Sequence, residues 1–114
     1  MKKFIRSFGF AFLGIFKLLR TERNFKIQFA AFIVALVVGF YFSITDFEWL
    51  LILLISALVL SLEALNSAIE KLCDLYSIEN DKRIKLIKDV AAGAVLIAAI
   101  FAIVIAFVIF RKYF

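Results

Sequence analysis

The chain has 114 residues, is 66% hydrophobic, carries a formal charge of +5 and has a mean hydropathy of +1.07. A soluble domain of this size has too little interior to hide so much apolar surface, so the composition points to membrane helices. No Pro and only four Gly suit uninterrupted helices and argue against a β-barrel, which needs many turns and alternating strands.

Residues 3–20 read as an amphipathic surface helix. Lys3, Arg6 and Lys17 alternate with Phe4, Phe8, Ala11, Ile15 and Leu18, whose spacing makes an apolar face that can lie in a membrane interface. The apolar run at 8–16 is short and leads into Lys17, Arg20 and Arg23 with no small-residue cleavage site, so no cleavable signal is expected. Thr21 is the expected cap of the next helix, with Asn24 following it. A first span covers about 27–44. It ends in a turn built from Ser43, Thr45 and Asp46, with Tyr41 and Trp49 placed for an aromatic belt.

A second span runs over about 48–73. Its 26 residues rise ~39 Å, more than the ~30 Å hydrocarbon core. The surplus is expected to protrude at the far end and carry Glu70 and Asp74 to the interface. Residues 76–81 break the pattern, and 82–88 read as a basic amphipathic turn or helix. A third span covers about 90–110 and opens on Ala91, Ala92, Gly93 and Ala94, small surfaces that admit a neighbouring helix. No repeat or low-complexity linker divides the chain, and 1–114 reads as a single domain.

Lys and Arg gather before the first span and in the loop before the third, whereas the 45–48 turn carries only Asp46 and Glu48. The bias places the N-terminus and the 74–89 loop in the cytoplasm, with Arg111 and Lys112 in mild conflict. Lys82, Arg83 and Lys85 read as topology control. The basic residues flank spans and form no aromatic-rich module, so lipid head groups and nucleotide phosphates are better partners than nucleic acid.

The chemistry sits in the second span. Glu63, Asn66, Glu70 and Asp74 fall within roughly 80° of one another at 100° per residue, a polar stripe on one helix face. Ionised groups inside a span are costly and face protein, ions or substrate rather than lipid. Three spans do not enclose a polar cavity alone, so a homo-oligomer is expected.

Carboxylates and an amide are hard oxygen ligands suited to Mg²⁺, nearby lysines neutralise phosphate oxygens, and a buried carboxylate can take a proton from an alcohol. Those are the needs of phosphoryl transfer. No Walker-type loop or protein-kinase signature is present, and with no histidine in the chain a Ser-His-Asp triad is excluded. Cys73, the single cysteine, rules out an internal disulfide and reads as structural.

The run EALNSAIEKLCD at 63–74, followed by KDVAAGAVL at 88–96, resembles the prokaryotic diacylglycerol kinase family. SFGFAF at 7–12 and TERNFK at 21–26 are most similar to its Gram-positive undecaprenol kinase branch. The resemblance implies an all-α integral membrane enzyme of three spans plus an N-terminal surface helix, a homotrimer with sites at subunit interfaces. It would lie in the bacterial cytoplasmic membrane with its site facing the cytoplasm. The implied reaction carries the γ-phosphate of Mg·ATP to a lipid hydroxyl, with Glu63 as base and Asn66 in the same catalytic site. Glu22 and Glu70 are the implied Mg²⁺ ligands. Lys88 is implied to bind phosphate, and Asp89 and Asp74 to contact the nucleotide.

Two positions depart from the pattern. Gln28 stands where the diacylglycerol-phosphorylating form often has glutamate, and Asp81 replaces a histidine common in the nucleotide loop. Undecaprenol is the favoured substrate and diacylglycerol the alternative. Taken singly, Lys88 also serves as a positive-inside anchor, Asp89 as a cap for the third span, and Glu22 as an acid at a helix N-terminus. A channel or transporter would need polar groups across the outer half of the bilayer, where 50–60 offers only Ser56; a structural adaptor would not need clustered carboxylates.

Overall fold

The computed structural model describes residues 1–76 and 81–114. These form α1 (Lys2–Thr21), α2 (Arg23–Phe42), α3 (Asp46–Tyr76) and α4 (Lys82–Phe110), closed by a 3₁₀ turn at Arg111–Tyr113. Helices α2 and α3, and α4 with its 3₁₀ extension, are long and apolar enough to cross a membrane. Helix α1 buries none of its side chains within the chain, and Phe4, Phe8 and Phe12 stand exposed along it. Most of the break at 76–81 lies outside the described residues.

Thr21 does not cap α2. It is the last residue of α1, and its hydroxyl donates to the Lys17 carbonyl at 2.7 Å, the i−4 bond open to a helical threonine. The break falls one residue later, at Glu22, whose extended backbone (φ −100°, ψ 113°) occupies the N-cap position without a side-chain cap bond.

Helix α2 ends in a Schellman closure. Ser43 takes the left-handed conformation (φ 52°), its N–H donates to the Phe40 carbonyl, and the Ile44 N–H donates to the Gly39 carbonyl. Thr45 and Glu48 then form a reciprocal capping box for α3: the Thr45 N–H donates to Glu48 Oε1 at 3.0 Å, and the Glu48 N–H donates to Thr45 Oγ1 at 3.2 Å. The buried Glu48 also accepts from the Tyr113 hydroxyl at 3.0 Å and pairs with Lys112 Nζ at 2.6 Å. The C-terminal cation is thus partly neutralised at the α2–α3 hairpin end. Phe42 stacks on Tyr113, and Ile44, Ile52 and Ile109 form the buried cluster beneath.

Asp89 does not cap α4. Asp81 is the N-cap, and its carboxylate accepts the Arg83 N–H at 2.8 Å and bonds the Arg83 guanidinium. The basic stretch 82–88 and the third apolar stretch are therefore one helix, and Asp89 lies two turns inside it.

Helix α3 packs most extensively against α4 and also contacts α2. Its buried residues Ile52, Val59, Asn66 and Cys73 recur every seven positions, a seam two helical turns in period. Glu63 lies four residues after Val59 on the same seam. On this face Glu48 is buried at the hairpin end, Ile52 and Val59 follow, and Glu63, Asn66 and Ser67 are buried beyond them.

Candidate active site

Glu63, Asn66 and Ser67 are only 4%, 5% and 3% exposed, so the stripe predicted on the second span begins inside the helix packing. Glu70 is half-buried and Asp74 exposed, a gradient that runs from interior to surface along α3. Asn66 Nδ2 donates to Glu70 Oε1 at 3.3 Å, while Asn66 Oδ1 is buried with no hydrogen-bond partner. A buried amide oxygen left unpaired costs free energy unless something bonds it.

Two elements bring further groups to this end of α3. The break between α1 and α2 delivers Glu22, which pairs with Lys71. Glu63 lies within electrostatic range of both Glu70 and Glu22, although Glu22 is 41 residues from Glu63 in sequence. Helix α4 delivers Lys88, whose Nζ donates to Asp74 Oδ1 at 2.6 Å and lies within electrostatic range of Glu70. Asp89 is the candidate the fold keeps apart: it is exposed, and its carboxylate pairs with Lys85 Nζ at 2.6 Å on its own helix.

Two residues of this region escape sequence reasoning. Ser67 is legible only as a neighbour of Asn66, because its burial depends on which helix covers α3. Lys71 carries no local signal, since its partner is 49 residues away.

The donor set suits a hard divalent cation. It consists of carboxylate and amide oxygens, one of them the orphaned Asn66 Oδ1. Among the described residues no three Asp, Glu, Cys or His side chains enclose such an ion by themselves. In general Mg²⁺ takes only one or two protein carboxylates and completes its shell with water and substrate phosphates. A separate cavity of about 330 Å³ lies between α2, α3 and α4; Gln28 and Ser56 line it among apolar side chains, and none of the clustered glutamates does.

The molecule is thus an α-helical membrane protein whose acids, amide and lysines converge at one end of its long helices. Over residues 9–110 the sequence matches the family model described as prokaryotic diacylglycerol kinase. The chain belongs to that family. It is 39% identical over 110 residues to the undecaprenol kinase of Bacillus subtilis (strain 168), covering 96% of this chain and 89% of that protein. It is also 34% identical over 100 residues to a diacylglycerol kinase of Synechocystis sp. (strain ATCC 27184 / PCC 6803 / Kazusa), covering 87% of this chain but 57% of that protein.

Proposed function

We propose that this chain is a lipid kinase that transfers the γ-phosphate of ATP to the hydroxyl of a membrane lipid alcohol, undecaprenol in preference to diacylglycerol. The observation that carries the reading is the burial of Glu63 and Asn66 beside Glu70, on the face of α3 turned towards protein. Buried polar groups of this kind in a spanning helix mark function. The preference for undecaprenol is supported by the fuller coverage of the undecaprenol kinase relative.

In this reading the lipid hydroxyl approaches Glu63, whose carboxylate accepts the proton as the new phosphorus–oxygen bond forms. The bond between the γ-phosphorus and its bridging oxygen breaks, and ADP leaves. Lys88, on α4, offsets the charge that accumulates on that leaving oxygen. To do so it turns from Asp74, the partner it holds here. Glu22 and Glu70, the latter hydrogen-bonded by Asn66, would hold Mg²⁺, which when bound supplies neutralisation of phosphate charge. Asp74 and Asp89 contribute to nucleotide contact; for Asp89 this requires leaving Lys85.

The rest of the assembly follows from the same reading. Helix α1, amphipathic and unburied within the chain, lies on the membrane surface with its Phe side chains in the lipid. Self-association, as a trimer, covers the open side of the cluster where Glu70 and Asp74 emerge. The excess of Lys and Arg near α1 and at the start of α4 orients this end to the cytoplasm, in the cytoplasmic membrane of a bacterium.

The direct test supplies purified protein with Mg·ATP and equal amounts of undecaprenol and diacylglycerol in one bilayer. Undecaprenyl phosphate is expected as the main product. Predominant phosphatidic acid would reverse the substrate assignment, and no phosphorylated lipid of either kind would remove the kinase reading.

A further inference from the structure

Lys71 pairs with Glu22, a glutamate of the cluster, and has no part in the proposed chemistry. It follows Glu70 directly on α3, and its ammonium reaches across to Glu22 at the α1–α2 break. The lysine side chain is 61% exposed and the glutamate side chain 27%, so the pair sits at the open edge of the cluster, where water and solutes have access. On this helix the lysine brings positive charge to the site's edge while Glu63 and Asn66 stay covered.

We infer that Lys71 is an exchangeable counter-ion for Glu22, one that a divalent cation must displace before Glu22 can ligate it. The inference rests on the metal role proposed above for Glu22 and Glu70. A carboxylate oxygen engaged by an ammonium is not a free ligand, and ammonium and metal compete for the same lone pairs. Lys88, on α4, likewise pairs with Asp74, an acid assigned above to nucleotide contact. The consequence is a site whose metal affinity is held somewhat below what the acids alone would give. A nucleotide tips the exchange, because its phosphates ligate the metal and also give the released ammonium a new anionic partner. Solvent-exposed pairs are weak, so the exchange is easy: the penalty on metal affinity is about twofold to fivefold.

The experiment is a Mn²⁺ titration followed by electron paramagnetic resonance on the full chain in nanodiscs of zwitterionic lipid, without nucleotide. Native protein is compared with Lys71→Met, Lys71→Gln and Glu22→Gln, with the double variant of Glu22→Gln and Lys71→Met, and with Lys82→Met as a control for general charge. Both Lys71 variants are expected to bind Mn²⁺ about twofold to fivefold more tightly than native protein, Lys82→Met to change affinity less, and the gain to vanish in the double variant. If Glu22→Gln weakens Mn²⁺ binding but the Lys71 variants bind like native protein, or no better than Lys82→Met, the counter-ion role is wrong and the metal site stands. If Glu22→Gln leaves Mn²⁺ binding unchanged, Glu22 is not a ligand and both readings fall.

Discussion

Lys88 Nζ donates to Asp74 Oδ1 at 2.6 Å, joining the end of α3 to the first turns of α4. The contact links residues 14 apart in sequence across the two helices. Its side chains are 36% and 63% exposed, so it is placed to release. Lys88→Met is therefore expected to change the melting temperature little, since exposed ion pairs contribute little to stability. Phosphoryl transfer is expected to fall about 10²-fold or more, the usual effect of losing one donor to developing charge. Thermal denaturation and labelled-phosphate transfer on the same preparation check this; a large loss of stability with normal turnover per folded molecule would make the lysine structural.

Gly39 and Gly93 differ in what surrounds them within the chain. A Cβ on Gly39 would stand 2.7 Å and 2.9 Å from ring carbons of Trp49 and 3.1 Å from Ile44 Cδ1, so Gly39→Ala is expected to cost about 1–3 kcal/mol through overpacking. A Cβ on Gly93 would meet nothing within 4 Å. Gly93→Leu is therefore expected to leave the individual chain folded and to weaken self-association, if the small surface at 91–94 receives a neighbouring helix. Circular dichroism and cross-linking in detergent distinguish the two effects; a fully assembled Gly93→Leu variant would place the subunit contact elsewhere.

Asp81 gives α4 a pH-sensitive start. Hydrogen bonds from the Arg83 side chain, then from its backbone N–H, hold the Asp81 carboxyl below its ordinary range. A lowered folded-state pKa means that the stabilisation is present above the unfolded value near 4 and is lost as pH falls through the lower folded value. Asp81→Ala is expected to speed amide exchange at Arg83, Ile84 and Lys85 near neutral pH, whereas native protein reaches the same looseness only in strong acid. Hydrogen exchange across a pH series checks it; equal protection in the two proteins at pH 7 would mean that the cap does not hold this turn.

The three long helices are legible from composition and length, because apolar content over a span-length window is a local property. The stripe is legible for a similar reason: Glu63, Asn66 and Glu70 share a face through helical periodicity alone, and no partner need be known. Caps were harder. Thr21 and Asp89 have suitable side chains, yet a cap depends on which residue breaks the helix, and Glu22 and Asp81 hold those positions. Ion pairs across the fold were not legible at all. Nothing near Glu48 in sequence announces Lys112 and Tyr113, and nothing near Lys71 announces Glu22, since these contacts exist only after the helices pack. The burial of Ser67 belongs with them.

Proton transfer from the lipid hydroxyl to Glu63 is isolated by Glu63→Gln, which keeps the size and hydrogen-bonding reach of the side chain but removes its basicity. Transfer of γ-phosphate to undecaprenol by the folded, metal-binding variant is expected to fall about 10²- to 10⁴-fold, the usual contribution of a general base. Turnover within a few-fold of native protein would contradict it.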